Sequence, residues 1–227
     1  MSTPNNPLTR DFAISLARLQ RYASKVEAFL AAESASLEAQ ITDRMALLPP
    51  EDRQDHFEAH LEDMLELSDE LPTLLRHSVL TAADSALERY LTDTCHDHAE
   101  LSKSKVRLED LRGGGLHRAQ IYLKRVAGIE FPDEHPAWVA MLRLHELRNS
   151  IVHAEGYMQE SHAGLAAWLQ TIPGVQVSAR RFVTLRATFL DEMFKSYDSF
   201  VEVFDAACEP LSLWHLVFPP VEDEKQA

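Results

Sequence analysis

All seven glycines of this 227-residue chain lie at or beyond Gly113, so its first 112 residues run without one. Glycine and proline punctuate local structure most strongly, and a stretch this long, broken mainly by Pro49-Pro50 and Pro72, reads as long helices. In the first of them Phe12, Leu16, Leu19, Ala23, Val26 and Leu30 alternate steps of four and three, a narrow seam for a partner helix. Glu33 interrupts the seam and Leu37 and Ile41 resume it, which predicts a helix over about 8–47, ending before Pro49. A second helix begins at Glu51, where early acidic residues suit the positive end of a helix. It either continues past Pro72 or restarts there, since Asp69-Glu70-Leu71-Pro72 reads well as an N-terminal turn.

Beyond this, helix is expected to about Asp97, then a polar loop over 98–115 and a short helix Leu116–Ala127 closed by Gly128. Phe131-Pro132-Asp133-Glu134-His135-Pro136 is a turn leading into a helix that runs to about Ala154 and is ended by Gly156. Trp138, Met141, Leu144, Leu147 and Ile151 give that helix a core face. Ile172-Pro173-Gly174-Val175 is a turn, and a final helix from Ser178 to about Cys208 carries Phe182, Leu185, Phe189, Phe194 and Phe200. Leu213, Trp214 and Phe218 are expected to order part of the tail. No strand and no internal repeat is expected, so the fold class is all-α.

No apolar run approaches a membrane span, and the polar start Met1-Ser2-Thr3-Pro4 is unlike a signal peptide, which leads to the expectation of a cytoplasmic protein with no membrane partner. Cys95 and Cys208 form neither a metal-like pair nor a disulfide framework and read as buried free thiols. The net charge of −14 argues against indiscriminate nucleic-acid binding, but it is unevenly spread. Residues 1–100 carry 8 Lys/Arg against 19 Asp/Glu, and residues 187–227 carry 2 against 9, whereas residues 101–186 carry 12 against 8. A polyanion would be repelled at both ends and tolerated at the centre, where Arg118, Lys124, Arg125 and Arg143 are candidate RNA contacts.

That central region holds Arg148-Asn149-Ser150-Ile151-Val152-His153, a fixed cation, an amide and an imidazole within two helical turns. An offset of four places Asn149 and His153 on one face, and the long arginine side chain reaches back from about 100° round the helix. An imidazole exchanges protons near neutral pH and a guanidinium grips phosphate with two prongs, a pairing suited to attack on a phosphodiester without a metal. Taken alone, His153 also reads as a structural histidine at a helix end. His56 and His60, at i and i+4, have zinc-ligand spacing that Cys95, His96 or His98 could complete, but solvated helix faces are the favoured reading and no metal or other cofactor is expected. Gly113-Gly114-Gly115 lacks the Lys-Ser/Thr sequel of a phosphate-binding loop and reads as a connection.

The R-N-x-x-x-H pattern, following His145-Glu146-Leu147, resembles the signature of the HEPN superfamily of helical proteins. Leu71–Leu91 resembles the first core helix of such domains. Leu111–Leu116 with Ile121–Lys124 is similar to the loop and short helix before the motif helix. The resemblance covers roughly residues 71–208, leaving a helical-hairpin extension over 1–70 and a tail over 209–227. It implies a HEPN-like helical bundle and a metal-independent endoribonuclease acting as a homodimer with the motif at the interface. His153 would act as acid or base, Arg148 would bind the scissile phosphate, and Asn149 would orient both. The products would be a 2′,3′-cyclic phosphate and a 5′-hydroxyl. Host defence or a toxin–antitoxin setting, with a regulatory protein partner, is also what the resemblance implies. The rival expectation is a non-catalytic module of the same fold serving dimerisation, partner docking or nucleotide sensing.

Overall fold

The computed structural model describes residues 6–154, 156–159 and 163–208. Of these, 77% are helical and only a two-stranded sheet breaks the pattern, so the fold is all-α. The helices are α1 (Pro7–Leu47), α2 (Arg53–Glu58), α3 (Leu61–Leu65), α4 (Leu71–Leu101), α5 (Gly115–Arg125), α6 (Pro136–Ala154), α7 (Ala163–Leu169) and α8 (Ala187–Cys208). Strands β1 (Val175–Val177) and β2 (Val183–Leu185) pair antiparallel, with Val175 opposite Leu185 and Val177 opposite Val183.

α1 keeps the length its sequence predicts, because nothing between Pro7 and Leu47 interrupts it. The following acidic stretch does not. Residues 51–70 hold nine Asp/Glu and one Arg, and here a 3₁₀ turn (Pro50–Asp52), α2, α3 and a π turn (Glu66–Glu70) follow in short pieces with no buried residue. Like charges three and four apart oppose a regular helix, and little apolar surface is available to offset them. The π turn also answers the question at Pro72: the ring nitrogen cannot donate a helical hydrogen bond, and a wider turn before it carries the chain into α4 without a restart. α4 then runs to Leu101, four residues beyond Asp97.

The expected helix from Ser178 is corrected to a hairpin followed by a later helix start. Phe182, Leu185 and Phe189 mimic helical spacing, but Phe182 bridges Tyr157, and Val183 and Leu185 bury alternate positions of β2 with Thr184 between them. β-Branched Val175, Val177, Val183 and Thr184 favour the pleated backbone, and Arg181 takes a left-handed conformation (φ 62°) at the turn. The tail residues Leu213, Trp214 and Phe218 lie outside the described residues.

Two compact units interleave along the chain. The first takes its described residues from the start to Leu16, from Asp84–His145, and from Lys195 onward. Its core is aromatic: Phe12 stacks on Tyr90 with centroids 4.7 Å apart, Trp138 meets Phe131 at 4.8 Å and Phe200 at 5.5 Å, and Phe200 stacks on Phe204 at 5.3 Å. Thr9 donates to Asp205 Oδ1 (2.8 Å), so the Tyr90 hydroxyl, 2.8 Å from Thr9 Oγ1, is the donor in that pair. The second unit comprises Ala17–Ala83 and Glu146–Phe194. Its core includes Leu30, Leu80, Leu147, Leu165, Leu169 and Phe189, and among its described residues one cation, Arg76, is buried. Arg76 donates twice to Glu27, at 2.6 and 2.8 Å, and once to the Leu185 carbonyl at 3.0 Å. Residues 63–71 return against α1 in this unit, where Leu67 and Leu71 share a cavity of about 350 Å³ with Glu33, Leu37 and Gln40.

Candidate functional site

α6 starts on Pro136, whose missing N–H falls where a helix has no partner to offer it. It stops at Gly156, which adopts φ 86° and donates to the Ser150 carbonyl (3.2 Å). A side chain at Gly156 would be strained at that φ and would press on the Phe182 ring, so the glycine is required there. The chain leaving α6 is fixed to the hairpin: Val183 donates to Gly156 (3.0 Å) and Met158 donates to Arg181 (3.0 Å). The motif thus occupies the last turns of a helix anchored beyond its end.

Within the motif, Leu147, Ser150 and Ile151 face inward and are buried, while Arg148 and Asn149 are half-buried and Val152 and His153 are exposed. Arg148 Nη1 donates to Asn149 Oδ1 at 3.0 Å. Among the described residues no hydrogen bond joins Asn149 to His153, although the two share a face. The burial of Ser150 removes its hydroxyl from any role as a nucleophile. Chemically, the second unit presents an amide-held guanidinium and a solvent-facing imidazole at the C-terminal end of one helix.

Arg118, Lys124, Arg125 and Arg143 all belong to the first unit, whereas the motif belongs to the second. Lys124 pairs with Asp133, which also accepts from Gln120. Burial raises the Asp133 carboxyl, but these two bonds outweigh it and hold the group below its ordinary value. Arg125 is exposed at the end of α5, and Arg118 and Arg143 are half-buried.

The first unit contains a pairing with no signal in the sequence. Asp84 is 1% exposed, and His145 Nδ1 stands 3.0 Å from both of its carboxylate oxygens across 61 residues of chain. A carboxylate at Nδ1 fixes the orientation of the ring. Gly115 packs against the same ring: its φ is 52°, and a Cβ there would stand 3.2 Å from Glu88 Oε1 and 3.9 Å from His145 Cε1. Tyr197, buried and with no hydrogen-bond partner for its hydroxyl among the described residues, has its phenol pushed well up by burial and by Asp84.

His56 and His60 meet edge to face with ring centroids 4.9 Å apart, and His60 lies 3.7 Å from Asp63. His96 bonds Glu109 (2.9 Å) and His98 lies 3.2 Å from the Tyr122 hydroxyl. Among the described residues no three His, Cys, Asp or Glu side chains converge on a metal position. Cys95 and Cys208 are buried free thiols, each pushed up to about 12, chiefly by burial. No described helix is long and apolar enough to cross a membrane. No family model matches the chain, and neither the curated proteins nor the solved structures contain a significant match.

Proposed function

We propose that the chain is a metal-independent endoribonuclease of the HEPN type. The observation that carries the reading is the motif's arrangement in the last turns of α6, with the Arg148 guanidinium bonded to Asn149 and the His153 ring open to solvent. In the reaction an imidazole takes the proton of the RNA 2′-hydroxyl, O2′ forms a bond to phosphorus, and the O5′–phosphorus bond breaks. The departing oxygen collects a proton from an acid, leaving a 2′,3′-cyclic phosphate and a 5′-hydroxyl. Arg148 stabilises charge on the phosphate oxygens. One imidazole cannot serve both ends of a single in-line displacement at once. A homodimer that pairs two copies of the motif supplies the second. The need for a 2′-hydroxyl selects RNA over DNA. A defence or toxin–antitoxin role, held in check by a regulatory protein, fits the same resemblance.

The test is cleavage of mixed RNAs in EDTA by the wild type and by His153→Ala, with product ends mapped. General acid–base catalysis contributes about 10²–10⁴-fold, so the variant should lose at least the lower figure. Arg148→Lys should fail comparably, because a point charge does not reproduce a planar two-pronged grip. Wild type that cuts only with added Mg²⁺, or a His153→Ala protein that cuts as fast, overturns the mechanism. Tyr22, Phe29 and Leu47, large apolar side chains exposed on α1, favour a second reading, a helical interaction module, and wild type inactive on every RNA would leave that reading standing.

A further inference from the structure

Residues 161–190 hold three Arg and no Asp or Glu, the longest acid-free run in a chain with 36 acidic residues. The β1–β2 hairpin lies inside that run, and Tyr157 bridges Phe182 at its edge. Met158 and Val183, the next residue along each segment, are buried. Alternation along an extended chain therefore turns Tyr157 and Phe182 to the outer face. Their rings meet with centroids 5.1 Å apart at 58°, and the Phe182 ring also lies against Gly156. Braced in this way, Tyr157 is still 52% exposed.

The ring is close to the motif because the chain turns back at the end of α6. Tyr157 donates to the Ala154 carbonyl (2.8 Å), a turn that holds the two Cα atoms within about 7 Å. His153 is one residue further back, so its Cα lies within about 11 Å of that of Tyr157. A nucleotide adjoining a phosphate at the motif can place its base on the ring across that span. Arg181 donates from Nη1 to the Gln159 carbonyl (3.2 Å), which holds its guanidinium beside the segment bearing Tyr157, and Arg180, next to it in the turn, is exposed. Rings flanked by arginines are how proteins hold single-stranded RNA: bases stack on the rings and guanidinium groups follow the phosphates. We infer that Tyr157, braced by Phe182, is a stacking subsite for one base of an RNA strand, with Arg180 and Arg181 taking phosphates of the same strand. The choice of RNA rests on the ribonuclease reading, to which the subsite adds residues outside the motif. These contacts lie in the unit that carries the motif, unlike Arg118, Lys124, Arg125 and Arg143.

The test uses the full chain and a short single-stranded RNA made non-cleavable by 2′-O-methyl groups. Loss of one stacked base weakens binding about tenfold to a hundredfold, so Tyr157→Leu should raise the dissociation constant by that much. Tyr157→Phe, which keeps the ring, should restore the affinity. Removing the bases singly, as abasic positions, should find a position that weakens wild-type binding and makes no difference to Tyr157→Leu, a coupling that a damaged fold would not imitate. Arg180→Ala should make the slope of log affinity against log salt shallower by about 0.7. Equal affinity of wild type and Tyr157→Leu, abasic penalties that are the same in both, or no binding by the wild type overturns the subsite. Cleavage of unmodified RNA is read separately: wild type that binds through Tyr157 and cuts nothing ends the ribonuclease reading and leaves the subsite in place.

Discussion

In the first unit the largest buried side chains are rings touching rings, whereas in the second a buried guanidinium is satisfied by one carboxylate and one carbonyl. The aromatic contacts of Phe12, Tyr90, Trp138, Phe200 and Phe204 are broad and weakly directional, each pair adding about 0.5–1.5 kcal/mol beyond burial. Arg76 is the opposite case: three bonds in fixed directions tie α1 to α4 and α4 to β2. The first kind of core tolerates small shifts of its members. The second fails as a unit when one partner goes, because the survivor is a charge out of water.

The largest effect expected from this contrast is at Arg76. Arg76→Ala leaves Glu27 with its partner gone and the Leu185 carbonyl without its donor, and should cost about 3–5 kcal/mol in urea unfolding. Hydrogen exchange should show amides of the second unit losing protection first. Replacing both partners together, as Arg76→Met with Glu27→Leu, should recover most of the loss, because no buried charge remains. If Arg76→Ala is neutral, or the double variant is no better than the single, the contrast between the units does not hold.

The same contrast explains what the sequence disclosed. α6 was readable as a helix entered near Pro136 and ending at about Ala154, because Pro136 and Gly156 are local signals and Trp138 through Ile151 keep helical spacing. α1 was readable for the same reason. The hairpin was not, since Phe182, Leu185 and Phe189 fit a helical period equally well and the decision lies in pairing with Gly156, Tyr157 and Met158. Asp84 and His145 gave no sign either, being 61 residues apart and each unremarkable in its own helix. At the candidate site the residue types and their helical placement were legible. The bond from Arg148 to Asn149, rather than from Asn149 to His153, depends on rotamers that spacing does not specify.

The next effect in size separates the units by pH. Burial holds His77, in the second unit, and His98, in the first, below the ordinary histidine value near 6.5. The unfolded chain therefore takes up these protons first: the stability each contributes is complete above about 6.5 and is lost as pH falls through the lower folded values. Raised carboxyls act with the opposite sign, unlike Asp133, whose lowered carboxyl also loses its contribution as pH falls. Asp97 and Asp198, both in the first unit, are raised by burial and then by acidic neighbours, so each destabilises while ionised and is relieved as pH falls through its raised value. Mild acid should thus weaken both units, and further acid should return something to the first that the second does not receive. Hydrogen exchange of the two sets of amides at descending pH reads this directly, and His77→Gln should flatten the first loss in the second unit alone. Parallel loss in both units throughout would remove the distinction.

The smallest effect is expected at Asn149, and it grades the polar contacts within the second unit. Its Oδ1 accepts an N–H from Arg148 at 3.0 Å in a half-buried setting. A bond from a charged group contributes about 1.5–3 kcal/mol, toward the lower figure in a half-buried setting, which corresponds to about tenfold in rate if all of it serves to hold the guanidinium in place. Asn149→Ala should therefore leave the fold intact and slow RNA cleavage far less than His153→Ala does. Because the loss is of aim rather than of a proton donor or acceptor, it should appear mainly as a raised KM with an unchanged pH profile. Asn149→Gln, which keeps the amide on a longer arm, should recover part of it. If Asn149→Ala instead matches His153→Ala in rate and shifts the pH profile, Asn149 touches the reacting groups themselves and its bond to Arg148 is incidental.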